Sequence, residues 1–213
     1  MNTLNKKICI VGAGGFAMEI FSCIQDIYCD IDLVESVFFM VQDDDYKDDT
    51  IMGLKTIPES QFDPNIYEVV IGIGDPFIRQ KIVSKLPIET KYITLIHPSV
   101  IISKWVDIGE GSVIMAGSII TCNIKIGKHA QININTTIAH DCIIGNYFTT
   151  APSVNLSGNC LIGDLVYIGS NSSLKQGISV VNNVNISMGS FVIKDIIEPG
   201  IYISRNISLI KVQ

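Results

Sequence analysis

Charge is scarce in this sequence. Only 17% of the 213 residues are Asp, Glu, Lys or Arg, which is low for a globular chain. Cations are the scarcer sign. Fifteen Lys and Arg against 21 Asp and Glu leave a net charge of -6, which argues against a partner that is nucleic acid or an anionic membrane. It does not exclude a phosphate bound locally. No apolar run approaches the roughly 18 residues of a membrane span. The run after Lys6 and Lys7 is stopped at Gly12, so no signal peptide is expected. No two of the six cysteines are spaced C-x-x-C. Most sit in apolar stretches, so all six are expected to be reduced core residues of a cytoplasmic protein, with no metal and no disulfide. Histidine occurs three times, at His97, His129 and His140, so few imidazoles are available for acid–base chemistry.

What the sequence does hold is a period of six. Every sixth residue from Ile96 to Val192 is Ile, Leu or Val, except Thr150. Neither an amphipathic helix nor an alternating strand has that period. It predicts a parallel β-helix of hexapeptide repeats, in which short strands stack coil on coil. Ile-Gly pairs at 108–109, 126–127, 144–145 and 162–163 recur every eighteen residues. Three hexapeptides therefore make one triangular coil, and the repeats give five to six coils. Glycine at that corner is expected to serve a conformation that a Cβ obstructs.

The first 92 residues read as a separate α/β domain, with 93–213 as the β-helix and a C-terminal tail. Strands are predicted at 7–11, 34–41 and 69–73, and helices at 16–27 and 77–86. This alternation implies a small Rossmann-like parallel sheet. Gly12, Ala13 and Gly14 lie between the first strand and its helix, where free N–H groups can bind phosphate. Asp43 and Asp44 close the second strand, and Gly72 and Gly74 the third. Together these strand ends predict a nucleotide site. The glycine loop is not a full G-x-G-x-x-G, because Ala17 stands where the third Gly is required.

Residues eighteen apart stack, so one edge of the prism reads Lys104, Cys122, His140, Gly158, Gln176, Lys194. His140 lies beneath a residue without a side chain, which leaves room for a ligand. The Gly158 N–H is placed to face an oxyanion near the imidazole. Lys194 stands three coils above His140, about 14 Å by the strand spacing, which suits the phosphates of an extended acyl carrier. A neutral imidazole serves as a base when an acceptor fixes its other nitrogen. Asp141, an Asn at 133 or 135, or a backbone carbonyl are candidates for that acceptor. His97, before Pro98, is expected to be a structural turn residue, and His129 to lie on a solvated face.

Residues 133–145 (NINTTIAHDCIIG), 151–163 (APSVNLSGNCLIG), 12–19 (GAGGFAME) and 71–82 (IGIGDPFIRQKI) resemble the bacterial sugar acyltransferases of the sialic acid O-acetyltransferase NeuD family. Among these they are most similar to the PglD-type nucleotide-amino-sugar N-acetyltransferases. The resemblance implies a left-handed β-helix and a homotrimer with active sites between subunits. It also implies acetyl transfer from acetyl-CoA to a nucleotide-linked amino-dideoxy sugar, in surface polysaccharide or O-antigen biosynthesis. His140 would be the base, Asp141 and Asn133 would support it, and the Gly158 N–H would meet the acetyl carbonyl. Gly158, Ser170, Met188 and Lys194 would contact CoA. Gly12, Ala13, Gly14, Asp43, Asp44, Gly72 and Gly74 would line the nucleotide site. Phe16 and Thr149 replace histidines common in the family, so His140 remains the only base. The usual C-terminal loop, which packs near the CoA adenine in the family, is altered at 204–208. The rival readings are O-acetylation of a free sugar such as sialic acid, and a non-catalytic hexapeptide-repeat binding protein.

Overall fold

A computed structural model describes residues 6–29 and 32–203. The loop expected at 204–208 lies outside them. The N-terminal sheet is built from β1 (Lys7–Val11), β2 (Val37–Val41), β3 (Thr50–Ile51), β4 (Leu54–Pro58), β5 (Tyr67–Ile71) and β6 (Lys91–Tyr92). Its order is β3-β4-β2-β1-β5-β6, parallel except for the β3–β4 hairpin. Side chains alternate across it, as a strand requires. Ile8 and Ile10 pack with α1 (Gly15–Ile27), while Cys9 and Val11 face the layer that includes Ile82, Val83 and Leu86. The second helix, α2, spans Pro76–Lys85. The expected strands and helices are present with shifted ends. The strand starting at 34 begins at Val37, because 34–36 form a turn. β3, β4 and β6 were not foreseen.

From Leu95 the chain winds into a three-faced prism whose coils pair in parallel, each residue with the one eighteen further on. The first face runs from Leu95–Ile96 to Gly200–Tyr202 in seven strands. The second runs from Ile101–Ile102 to Phe191–Val192 in six, and the third from Val106–Ile108 to Ser179–Val180 in five. The repeated Ile, Leu and Val point inward and form one continuous core from Ile114 to Ile196, which includes Cys142 and Cys160. All six cysteines are free, and burial pushes the Cys9 thiol far up.

The corner glycines have a different cause from the one expected. Gly109, Gly127, Gly145 and Gly163 are not left-handed. A Cβ on Gly127 would stand 2.6 Å from Asn146 N and from Gly145 C, in the next coil. Stacking excludes the side chain, not φ. The left-handed residues lie two positions later. They recur every six residues from Gly111 to Gly189, mostly as Asn, Asp or Gly, and include Asn123, Asp141 and Asn159.

The α/β domain sits on the first face of the prism. Leu95, Val113 and Met115 join the core around α1. On the other side of the sheet Arg79 of α2 is fully buried. Its guanidinium donates to the carbonyls of Ile73, Gly74, His129, Tyr147 and Phe148, to Gln131 Oε1, and to Thr149 Oγ1 at 2.7 Å. Among the described residues no carboxylate forms an ion pair with it. The five-donor fork suits a cage of carbonyls in a way an ammonium does not. Gln131 donates in turn to the Ile71 carbonyl at 2.7 Å. His129, expected on a solvated face, is instead buried, stacked on Tyr147 and edge-on to Tyr92. Burial, then the Arg79 charge, push its pKa down to about 4. His97 is the turn residue expected. Its Nδ1 accepts from the Ser99 N–H, and its Nε2 meets Asp26 of α1 at 2.8 Å.

Candidate active site

His140 stands at a corner between the second and third faces, after the strand Thr137–Ile138 and before Ile143–Ile144. Its side chain is half exposed, and Asp141, next to it, is left-handed with φ 61°. His140 Nδ1 and Asp141 Oδ2 are 2.7 Å apart. An ionised carboxylate only accepts, so Nδ1 carries a proton, and in the neutral ring it is Nε2 that has the lone pair. Nε2 has no hydrogen bond to any described residue. Bonds from Asn123 first, and from His140 second, hold the Asp141 carboxyl below its usual range.

Gly158 lies directly over the ring. A Cβ there would come within 2.7 Å of His140 Cε1 and Nε2. The space left by glycine is thus taken by the imidazole itself rather than standing empty for a ligand. The Gly158 N–H donates to no described group. It is a free backbone donor one coil above His140, at the stacked position that the eighteen-residue spacing gives. Lys194 and Gln176 continue the same edge and are exposed.

The other expected residues are distributed differently. Asn133 is on the edge between the first and second faces. Its Oδ1 accepts from the N–H of Ile134 at 2.7 Å, and its own N–H donates to Thr150 Oγ1. Asp141, not Asn133, is therefore the acceptor that fixes His140. Ser170 and Met188 stack on the same edge as Asn133, and the Ser170 carbonyl accepts from Gly189 N–H. Within one chain they do not share an edge with His140 and Lys194. Thr149 is buried at the domain junction, between Arg79 and the Gly74 carbonyl.

In the N-terminal domain a cleft of about 510 Å³ opens at the carboxyl ends of β1, β2 and β4. Gly12, Ala13, Asp45, Lys47, Glu59 and Lys85 are among the residues that line it. This is where open α/β sheets bind ligands. Gly12 needs its freedom, with φ 105°. Gly14 caps α1 without a side-chain hydrogen bond, and no acidic residue fills the first turn. The start of α1 therefore offers free N–H groups. α2 differs, because Asp75 accepts from the N–H groups of Phe77 and Ile78. Gly72 and Gly74 are not part of the cleft lining. Gly72 lets Ala17 pack closely, since a Cβ there would lie 2.7 Å from the Ala17 Cβ. Gly74 instead receives Arg79 and Thr149 at its carbonyl. Asp43 and Asp44 are displaced too. Asp43 accepts from Ser60 N–H at 3.0 Å, and Asp45 lines the cleft in their place.

Fold and edge together define the class: a left-handed parallel β-helix carrying a small α/β domain. PerB from Caulobacter crescentus, solved with CoA and GDP-perosamine, has this fold. It matches with a TM-score of 0.81 at 24% identity, over 94% of this chain and 95% of that one. The acetyltransferase domain of PglB from Neisseria gonorrhoeae FA1090 matches with a TM-score of 0.82 at 23% identity, over 92% and 96%. Residues 7–86 match the PglD N-terminal domain family, as the resemblance of the glycine loops implied. A stretch of 109 residues is 35% identical to the GDP-perosamine N-acetyltransferase of Escherichia coli O157:H7, covering 51% of this chain and 49% of that protein. The chain thus spans about half the length of that curated relative.

Proposed function

We propose that this protein transfers acetyl from acetyl-CoA to the amino group of a nucleotide-linked amino-dideoxy sugar. The observation that carries the reading is the His140 imidazole, fixed through Nδ1 by Asp141 and left with an unpaired Nε2 under a free Gly158 N–H. The sugar ammonium first gives one proton to water, and Nε2 takes a second from the nitrogen as its bond to the acetyl carbon forms. The amine attacks the thioester carbonyl, and the Gly158 N–H meets the oxyanion that forms. The imidazolium then returns its proton to the departing CoA thiolate. General-base and oxyanion contributions are worth roughly two to four and two to three powers of ten.

The acetyl-CoA arm runs up the edge toward Lys194. Ser170 and Met188, on another edge, reach the same CoA only from a neighbouring subunit, which favours a homotrimer with sites between subunits. The cleft beside Gly12 and Ala13 holds the nucleotide, with the start of α1 at Gly14 and the cations Lys47 and Lys85 available to its phosphates. A free sugar needs no such cleft, so N-acetylation of a nucleotide sugar is favoured over O-acetylation of sialic acid. The free thiols, and the use of a nucleotide sugar, suit the cytoplasm. Among the described residues no helix is long and apolar enough to cross a membrane.

The test is release of CoA thiol from acetyl-CoA with UDP-, dTDP- and GDP-linked amino sugars, and with free sialic acid. Turnover with a nucleotide amino sugar supports the reading. Turnover with sialic acid alone replaces it by O-acetylation, and CoA binding without any turnover leaves a binding protein.

A further inference from the structure

Asn123 lies one coil before Asp141, at the same place in its hexapeptide, and both residues are left-handed, with φ 55° and 61°. Their side chains consequently leave the prism in the same direction and stack. Asn123 Nδ2 donates to Asp141 Oδ1, while Asp141 Oδ2 takes the Nδ1–H of His140 at 2.7 Å. The amide orientation is dictated by chemistry: a carboxylate has no proton to give, so the amide oxygen turned toward it would meet a second oxygen. We propose that Asn123 is a positioning residue for acetyl transfer, clamping the Asp141 carboxylate so that His140 Nε2 stays under Gly158. The catalytic consequence rests on His140 being the base.

A carboxylate held by one oxygen alone still turns about its last bond. Asp141 is partly exposed, so water competes for it. A second bond, on the other oxygen and from the coil below, fixes the carboxylate plane and with it the imidazole. The Asn123 bond is also the larger of the two that lower the Asp141 carboxyl pKa. On the coil above, Asn159 has the same backbone conformation but makes no side-chain bond to Asp141 among the described residues. The support comes from below only, away from the open space under Gly158.

Asn123→Gly is the informative variant, because glycine accepts a left-handed φ without strain. We expect kcat to fall about tenfold, the low end of what one hydrogen bond to a charged group is worth, with KM for acetyl-CoA and sugar unchanged. In an Asp141→Gly background the same change should cost nothing further, since a residue that acts only through Asp141 has nothing left to act on. A separate readout needs no substrate. In 15N-histidine spectra, His140 should be the Nδ1–H tautomer in the wild type and lose that preference in Asn123→Gly. An unchanged tautomer, or a kcat loss that persists without Asp141, would overturn the proposal. Loss of the tautomer preference in a protein without turnover would uphold the clamp and refute the acetyl-transfer reading instead.

Discussion

At the scale of single residues, two contacts carry the proposed chemistry. The first is the His140–Asp141 pair. His140→Ala removes the only imidazole on its edge, so turnover should fall at least about a hundredfold, with thermal unfolding unchanged because the side chain is half exposed. Steady-state kinetics beside a melting curve checks both halves. The second is the seat of that imidazole under Gly158. An added methyl would come within 2.7 Å of the ring, and the ring is the part able to move. Gly158→Ala should therefore cost kcat more than tenfold, since an error of about 1 Å in a reacting group is worth up to a hundredfold. CoA binding measured by calorimetry should survive, because the backbone N–H and Lys194 remain.

At the scale of the element, the corner is the unit. Gly109, Gly127, Gly145 and Gly163 are each pressed against the coil above and, two places on, each is followed by a left-handed residue. Gly127→Ala would push a Cβ into the backbone of the next coil at 2.6 Å. Backbone cannot yield as a side chain tip does, so we expect a loss of about 2 kcal/mol, read as a lowered midpoint in urea. The His140 edge also carries an exposed thiol, Cys122, one coil below the imidazole, whereas Cys9, Cys23, Cys142 and Cys160 are buried. N-ethylmaleimide should abolish turnover, CoA should slow that loss, and Cys122→Ser should be resistant. Resistance conferred by Cys29→Ser instead would place the sensitive thiol away from the edge.

At the scale of the whole molecule, the α/β domain and the prism are joined by Arg79 and by the buried ring of His129. His129 is neutral in the folded state, with its pKa lowered from 6.5 to about 4, chiefly by burial. The unfolded chain thus binds a proton that the folded one refuses. Its contribution to stability is complete above pH 6.5 and is lost as pH falls from 6.5 toward 4. His129→Phe should flatten the stability curve in that window, as measured by urea titrations at several pH values.

The prism and the His140 edge were legible because a hexapeptide repeat is local, and stacking converts sequence spacing directly into neighbourhood. His140, Asp141 and Gly158 fell where arithmetic put them. The junction was not legible. Arg79 meets His129, Gln131 and Thr149 across fifty to seventy residues of sequence, and nothing in the helix around it marks it as buried. Asp43 and Gly72 misled for a related reason. One ties down a turn and the other admits a helix, roles that a strand-end residue shares with ligand contacts. Asn123 was in plain view on its edge, but its link to Asp141 depends on a side-chain direction set by left-handed backbone.

The eighteen-residue pairing has one more effect. Losing a single residue between His140 and Gly158 would rotate everything above it by part of a turn, so His140 would face a different partner. Gaining a complete extra loop of eighteen above Gly158 would leave His140 and its roof together, while raising Lys194 by about 4.8 Å. Changes in length are therefore tolerated only in whole storeys, and the distance from His140 to Lys194 comes in fixed increments.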